Sequence, residues 1–255
     1  VQTSGGTLFL QPYDIGSVHV MFGSELEIEN NKSFAVTQQP DIAEFDVEDT
    51  RREIILRSSC LSVTVNKKAG YISLLDKSGK LLLKEWPEKA RMNVHGDSVN
   101  AYCRFQLQDE EALYGLGQFR DNLMNLRNAK RELVQFNTQA AVPVIYSTGK
   151  WGLFWDNPSR TIYADNNAGM SFVSDYGRIV NYYLFVGDGM DKLVAAYRSL
   201  TGAAPMLPVW ALGYHQSRNR YATQKEVMEV AKRMKEENIP ASTIFIDYHY
   251  WGKYG

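Results

Sequence analysis

At 255 residues and 44% hydrophobic content, the chain can bury one large core, or a sandwich-sized domain plus the beginning of a second. Its 28 Lys and Arg and 29 Asp and Glu almost cancel, to a formal charge of −1, so the chain lacks the one-sided field that favours a polyanion or an acidic membrane surface. No apolar run approaches the roughly 20 residues that span a bilayer, so neither nucleic acid nor membrane is expected as a partner.

The opening Val1-Gln2-Thr3-Ser4 lacks the basic and apolar regions of a signal peptide, and a chain whose leader had been removed would begin the same way. Compartment is therefore left open between periplasmic or secreted and cytoplasmic. Two cysteines, Cys60 and Cys103, cannot build a disulfide framework or a four-ligand zinc site, and are expected to be inert buried thiols. The four histidines, His19, His95, His215 and His249, include no pair at one-turn spacing, so no metal is expected. The 15 Tyr, 11 Phe and 5 Trp suit both a β-rich core and a surface that stacks on sugar rings.

From the start to about Val180 the residues read as short strands separated by turns. Leu61, Val63 and Val65 alternate with polar residues, Asn66 to Gly70 turns the chain, and Ile72 and Leu74 resume the alternation. A second turn at Asp76-Lys77-Ser78-Gly79 leads to Leu81 and Leu83, which predicts an antiparallel meander. Val142 to Tyr146 and Trp151 to Trp155 flank Ser147-Thr148-Gly149-Lys150 as another hairpin. Many short strands at this spacing predict a sandwich.

The pattern changes near Gly187. Leu193, Ala196, Tyr197 and Leu200 follow Asp191 at the spacing of one helical face, ended by Gly202. Residues Ala203 to Pro208 carry two prolines and read as a connection, with a domain boundary at 207/208, into a strand-like run over Val209 to Tyr214. Thr223 and Glu226 then form a capping box ahead of Val227, Val230, Ala231 and Met234, and Asn238 with Pro240 stops that helix. The apolar run Ile244-Phe245-Ile246 reads as a strand buried on both faces. The unit is β-α-β, and since a lone parallel pair needs covering, the second domain is expected to be incomplete, with edges that invite pairing with another copy of the chain.

In parallel α/β folds functional groups gather at the carboxyl ends of the strands. Asp247 stands there, followed by Tyr248, His249, Tyr250 and Trp251: a carboxylate to accept sugar hydroxyls beside rings that suit the C–H faces of a pyranose. On residues alone Asp247 could equally cap a loop above core aromatics. Tyr214 leads into a second polar rim, His215 to Asn219, whose members read first as loop residues satisfying backbone groups; His215 receives no catalytic role. Gly115-Leu116-Gly117 lacks the third glycine and the helix of a dinucleotide loop, and neither a G-x-S-x-G nor a phosphate-loop motif occurs, so no cofactor is expected.

The strings YGLGQF (Tyr114 to Phe119), VPVIYSTGKWGLFWDNPSRT (Val142 to Thr161), LPVWALGYHQSR (Leu207 to Arg218) and IPASTIFIDYHYW (Ile239 to Trp251) together resemble glycoside hydrolase family 31 over roughly residues 111 to 255. The resemblance implies a mainly β chain: an amino-terminal β-sandwich like that of galactose mutarotase over 1–207, then the first β-α-β portion of a (β/α)8 barrel over 208–255. It implies the amino-terminal portion of a retaining α-glycosidase that hydrolyses terminal α-glucosides or α-xylosides of oligosaccharides. The family's catalytic aspartates, a nucleophile and an acid/base, are expected on later barrel strands, so no residue here is assigned a catalytic role, and this portion alone is expected to be inactive. Asp247 and Tyr248 are implied to bind sugar in the −1 subsite, and Asn219 falls where many members line that subsite with an aromatic ring. An active-site loop is implied within Asn122 to Thr138, where Gln135-Phe136-Asn137-Thr138 replaces a more usual Trp-Asn-x-Asp, and Gln118 stands where Glu is commoner. The competing reading is a non-catalytic carbohydrate-binding sandwich.

Overall fold

The computed structural model describes residues 1–3, 5–14, 16–39, 45–87, 91–95 and 98–246, with backbone alone for 92–95, 98 and 99. The chain divides into two compact units, Val1–Ala203 and Ala204–Gly255.

The first unit is a β-sandwich. Among the described residues, seven strands form one antiparallel sheet and ten the other. Alternation along each strand builds the core. Val18, Val20 and Phe22 from Ser17–Gly23, and Val180, Tyr182 and Leu184 from Val180–Val186, meet Leu61, Val63, Cys103, Phe105 and Phe172 of the second sheet. Trp155 stacks on Phe172 and Tyr182 at centroid distances of 5.3 and 6.2 Å, and its indole N–H donates to Ser174 Oγ at 2.9 Å, so a large apolar surface is buried without an orphan donor. The meander over Leu61–Asn66, Ile72–Asp76 and Leu81–Glu85 forms as the turns predict, with Gly79 at φ +85°. In the hairpin of Ala140–Ser147 with Trp151–Trp155 the left-handed residue is Lys150 (φ +69°). Gly149 serves space instead: a Cβ there would lie 2.8 Å from Glu111 Oε2.

The outer face of the seven-stranded sheet is covered in part by a helix over Met190–Thr201, whose Leu193 and Leu200 pack on Val144, Phe154, Tyr183 and Phe185. This cover explains why Trp151–Trp155 is buried on both faces. A short helix at Glu25–Glu29, absent from the expected strand pattern, is capped by Ser24 and anchored by Ile28. Cys60 is only partly covered, contrary to expectation, because it lies in the turn between Glu53–Arg57 and Leu61–Asn66; both thiols are free. Burial pushes the Cys103 thiol well above its ordinary range.

Gly115, Leu116 and Gly117 all have positive φ, at 119°, 62° and 93°, where the edge strand Leu113–Gln118 shifts register against Ala140–Ser147. A Cβ at Gly117 would sit 2.0 Å from Ala140 O, so the glycines permit a bulge rather than a phosphate loop. The segment Asn122 to Thr138, within which an active-site loop is implied, includes the strand Lys130–Leu133, paired with Thr161–Asn166.

In the second unit the run expected to be strand from Val209 is a 3-10 turn over Val209–Leu212, entered from Pro208, and the strand is Tyr214–Gln216. It pairs in parallel with Ala241–Ile244, joined through a helix over Gln224–Glu236. Thr223 Oγ1 accepts from the Glu226 N–H at 3.2 Å, while the Glu226 carboxylate accepts from the Ala222 N–H at 2.7 Å, one residue earlier than a reciprocal capping box requires. The strand ends at Ile244. Phe245 and Ile246 are 51% and 58% exposed, because the described sheet has two strands and nothing described covers their far face.

Candidate functional site

Parallel pairing sets the carboxyl ends of Tyr214–Gln216 and Ala241–Ile244 on one rim, with Gln216 opposite Ile244 and the Phe245 N–H donating to Gln216 O at 2.9 Å. Asn219 lies three residues past Gln216, in an exposed bend. Asp247 follows Ile244 by the same interval in sequence, and Asp247 and Tyr248 lie outside the described residues.

The polar groups between are already engaged. His215 holds the two strands together: its Nε2 lies 3.0 Å from Ala211 O and its Nδ1 2.8 Å from Thr243 Oγ1. A carbonyl only accepts, so Nε2 carries the proton and the Thr243 hydroxyl donates to Nδ1, leaving neither nitrogen for substrate. Gln216 accepts from the Tyr214 hydroxyl at 2.7 Å and donates to Tyr221 Oη at 3.0 Å, and the Arg218 guanidinium lies 5.5 Å from the Tyr221 ring centroid. At Gly213 a Cβ would meet Ser242 Oγ at 1.9 Å, so glycine is what lets the strands approach there.

In the sandwich, Gln135 Nε2 donates to Gln139 O at 2.9 Å, its Oε1 accepts from the Ala141 N–H at 3.3 Å, and Gln139 Nε2 donates to Val134 O at 3.0 Å. The Gln135 amide thus closes its own turn, whereas Phe136 is 55% exposed and Asn137 and Thr138 face solvent. Nearby, the Arg131 guanidinium grips Asp121 with two bonds of 2.8 Å, holds its carboxyl below the usual range, and lies 4.5 Å from the Phe119 ring centroid.

A third constellation escaped the sequence reading because its members are far apart in the chain. On the outer face of the seven-stranded sheet, His19 stacks on Tyr183 at 4.0 Å and contacts Tyr13 edge-on at 5.9 Å. His19 Nε2 bonds Asn181 Oδ1, and Asn181 Nδ2 donates to Asp156 Oδ2 at 3.2 Å. Burial raises the Asp156 carboxyl, opposed by its bonds to Ser33 and Asn181, and burial lowers His19 to about 4, opposed by the Asn181 bond. Between about pH 6.5 and about pH 4 the unfolded chain therefore binds a proton at this residue that the folded chain refuses, so stability rises with pH across that window. A His19→Gln variant should lose up to roughly 3 kcal/mol of that pH dependence, read as urea unfolding at pH 4.5 against pH 7.

Among the described residues no group of three or more His, Cys, Asp or Glu is placed to hold a metal ion, and no helix is long and apolar enough to cross a membrane.

Two family models match the chain: the glycosyl hydrolase 31 N-terminal galactose mutarotase-like domain over residues 7–163, and the glycosyl hydrolases family 31 TIM-barrel domain over residues 204–255. The chain is 33% identical over 244 residues to an alpha-xylosidase of Saccharolobus solfataricus, covering 92% of this chain and 33% of that protein. It is 28% identical to alpha-glucosidase 2 of Bacillus thermoamyloliquefaciens, covering 98% of this chain and 33% of that one. The chain thus spans about a third of the length of these curated relatives. The crystal structure of a family 31 alpha-xylosidase from a soil metagenome, complexed with xylose, superimposes with a TM-score of 0.90 at 28% identity, covering 99% of this chain and 40% of that chain. A galactose mutarotase-like sandwich followed by the opening β-α-β of a barrel, matched in order and over most of its length, makes this chain a member of glycoside hydrolase family 31.

Proposed function

We propose that the protein carrying this chain is a retaining α-glycosidase acting on terminal α-glucosides or α-xylosides of oligosaccharides, and that residues 208–255 begin its catalytic barrel. The observation that carries the reading is the parallel register of Gln216 with Ile244, which gives Asn219 and Asp247 equal offsets beyond a common strand-end rim. In this reading Asp247 accepts hydrogen bonds from hydroxyls of the sugar in the −1 subsite, Tyr248 shapes the same pocket, and Asn219 offers an amide where a ring is usual. The names of the relatives, an alpha-xylosidase and an alpha-glucosidase, support this substrate class.

Retention requires two carboxyl groups roughly 5 to 5.5 Å apart, one attacking the anomeric carbon and one protonating the leaving oxygen. No pair within this chain is assigned to that chemistry, so the role proposed for this chain is substrate binding by Asp247, Tyr248 and Asn219. The full-length protein, assayed with aryl α-glucosides and aryl α-xylosides, should release the aryl group from at least one series, and the sugar first formed should be the α-anomer by NMR. A β-anomer, or no turnover of either series, would remove the proposal.

A further inference from the structure

The two strands that form the rim do not pair in a regular ladder. Tyr214 lies opposite Ala241, but His215 lies opposite Thr243 and Gln216 opposite Ile244, so Ser242 is left out of the pairing as an extra residue. Gly213 makes room for it: a Cβ there would come within 1.9 Å of Ser242 Oγ and 2.9 Å of its Cβ. Because the extra residue comes before the rim, it sets the level of everything that follows. In a regular ladder His215 would face Ser242 and Gln216 would face Thr243, and Thr243 and Ile244 would turn to the opposite face of the sheet, since side chains alternate with a period of two. Asp247, three residues past Ile244, would then be one residue out of step with Asn219, three past Gln216.

One side chain is bonded in a way that tells the two registers apart. His215 Nε2 donates to Ala211 O at 3.0 Å, which ties the ring to the 3-10 turn Val209–Leu212, and Nδ1 accepts from the Thr243 hydroxyl at 2.8 Å. Trp210 and Phe245 flank the imidazole, with ring centroids 6.4 and 5.8 Å away. The ring thus has a fixed place and a fixed tautomer, and its lone pair is aimed at a residue beyond the bulge. After a one-residue slip the hydroxyl opposite would be that of Ser242. The bond to Thr243 is therefore what favours the bulged pairing over an alternative that offers His215 the same chemistry.

We propose that His215 and Thr243 are positioning residues of the sugar site: their hydrogen bond holds the bulged register and thereby sets the offset of Asp247 against Asn219. The inference rests on the reading of Asp247 as a sugar ligand, and the two can fail separately.

The test is a double-mutant cycle in the full-length protein, read as kcat/KM for its preferred aryl α-glycoside. Thr243→Val keeps the branched shape and removes the donor; it should lower kcat/KM about tenfold, and Thr243→Ser, which restores the hydroxyl, should recover most of the loss. In an Asp247→Ala background Thr243→Val should change kcat/KM by less than about twofold, because the contact that it serves is already gone. Equal losses with and without Asp247 would overturn the inference while leaving Asp247 in the site, as would an unchanged kcat/KM in Thr243→Val. A near-normal Asp247→Ala protein would remove both. Should Thr243→Val unfold, His215→Gln carries the same cycle: its amide N–H stands in for Nε2 toward Ala211 O, and nothing replaces Nδ1.

Discussion

Replacing Asp247 by alanine in the full-length protein is expected to lower kcat/KM for its preferred aryl α-glycoside by about two to four orders of magnitude. A carboxylate that accepts from two sugar hydroxyls makes two charge-assisted bonds of about 1.5–3 kcal/mol each, and every 1.36 kcal/mol lost from the transition state is tenfold in rate. Asp247→Asn keeps two acceptor lone pairs but loses the charge, so it should fall between the two. The measurement is steady-state kinetics on the aryl glycosides, with unfolding monitored to confirm that the variants are native. Near-normal kcat/KM in the alanine variant would take Asp247 out of the site.

A second large effect is expected in the core. Glu85 is fully buried between the sheets and accepts five hydrogen bonds from four residues: Arg91 Nε at 2.7 Å and Arg91 Nη2, the Tyr182 hydroxyl at 2.7 Å, the Ile72 N–H at 2.7 Å and the Cys103 thiol at 3.4 Å. Arg91 also donates to Gly70 O at 2.9 Å and lies 5.3 Å from the Phe22 ring centroid. Its removal strands a carboxylate that has no water to turn to. Arg91→Met should therefore destabilise the sandwich by about 3–5 kcal/mol, a fall in Tm on the order of 10 °C for a unit of this size. Arg91→Lys retains charge without the planar fork, and should recover part of the loss. Urea unfolding that moves by less than about 1 kcal/mol in Arg91→Met would show that the Arg91–Glu85 pair does not hold the sandwich together.

The meander and hairpins were legible because each carries its own instructions: a period of two, then a turn residue able to take positive φ, as at Gly79. The helices over Met190–Thr201 and Gln224–Glu236 were legible from spacing and from Thr223. Glu25–Glu29 was not, because five residues with one buried side chain give no periodicity, and its cap at Ser24 looks like any turn serine. The run from Val209 misled for the opposite reason: Val-Trp-Ala-Leu is apolar enough for a strand, but Pro208 sets the backbone for entry into a tight turn. At the strand-end rim, the equal offsets of Asn219 and Asp247 beyond Gln216 and Ile244 are what the proposed sugar-binding role rests on. The constellation around His19 left no trace in the sequence, since His19 and Asn181 are 162 residues apart and each alternates on its strand like any other residue. Only long-range pairing of the strands leaves one nitrogen without a donor.

The bulge at Gly115-Leu116-Gly117 also bears on how the molecule behaves in company. It lies on the outermost strand of its sheet, where a straight backbone would present evenly spaced amides to any extended peptide in solution. Three successive residues at positive φ break that spacing, so an incoming strand could bond to either side of the kink but not across it. At the far margin of the other sheet, Asp46, Glu48 and Asp49 put three carboxylates on four exposed residues, with Glu48 paired to Arg57 and Asp49 to Lys67, so charged groups line that edge. One border is guarded by shape and the other by charge, and copies of this chain that come together are steered away from fibre-like stacking along either.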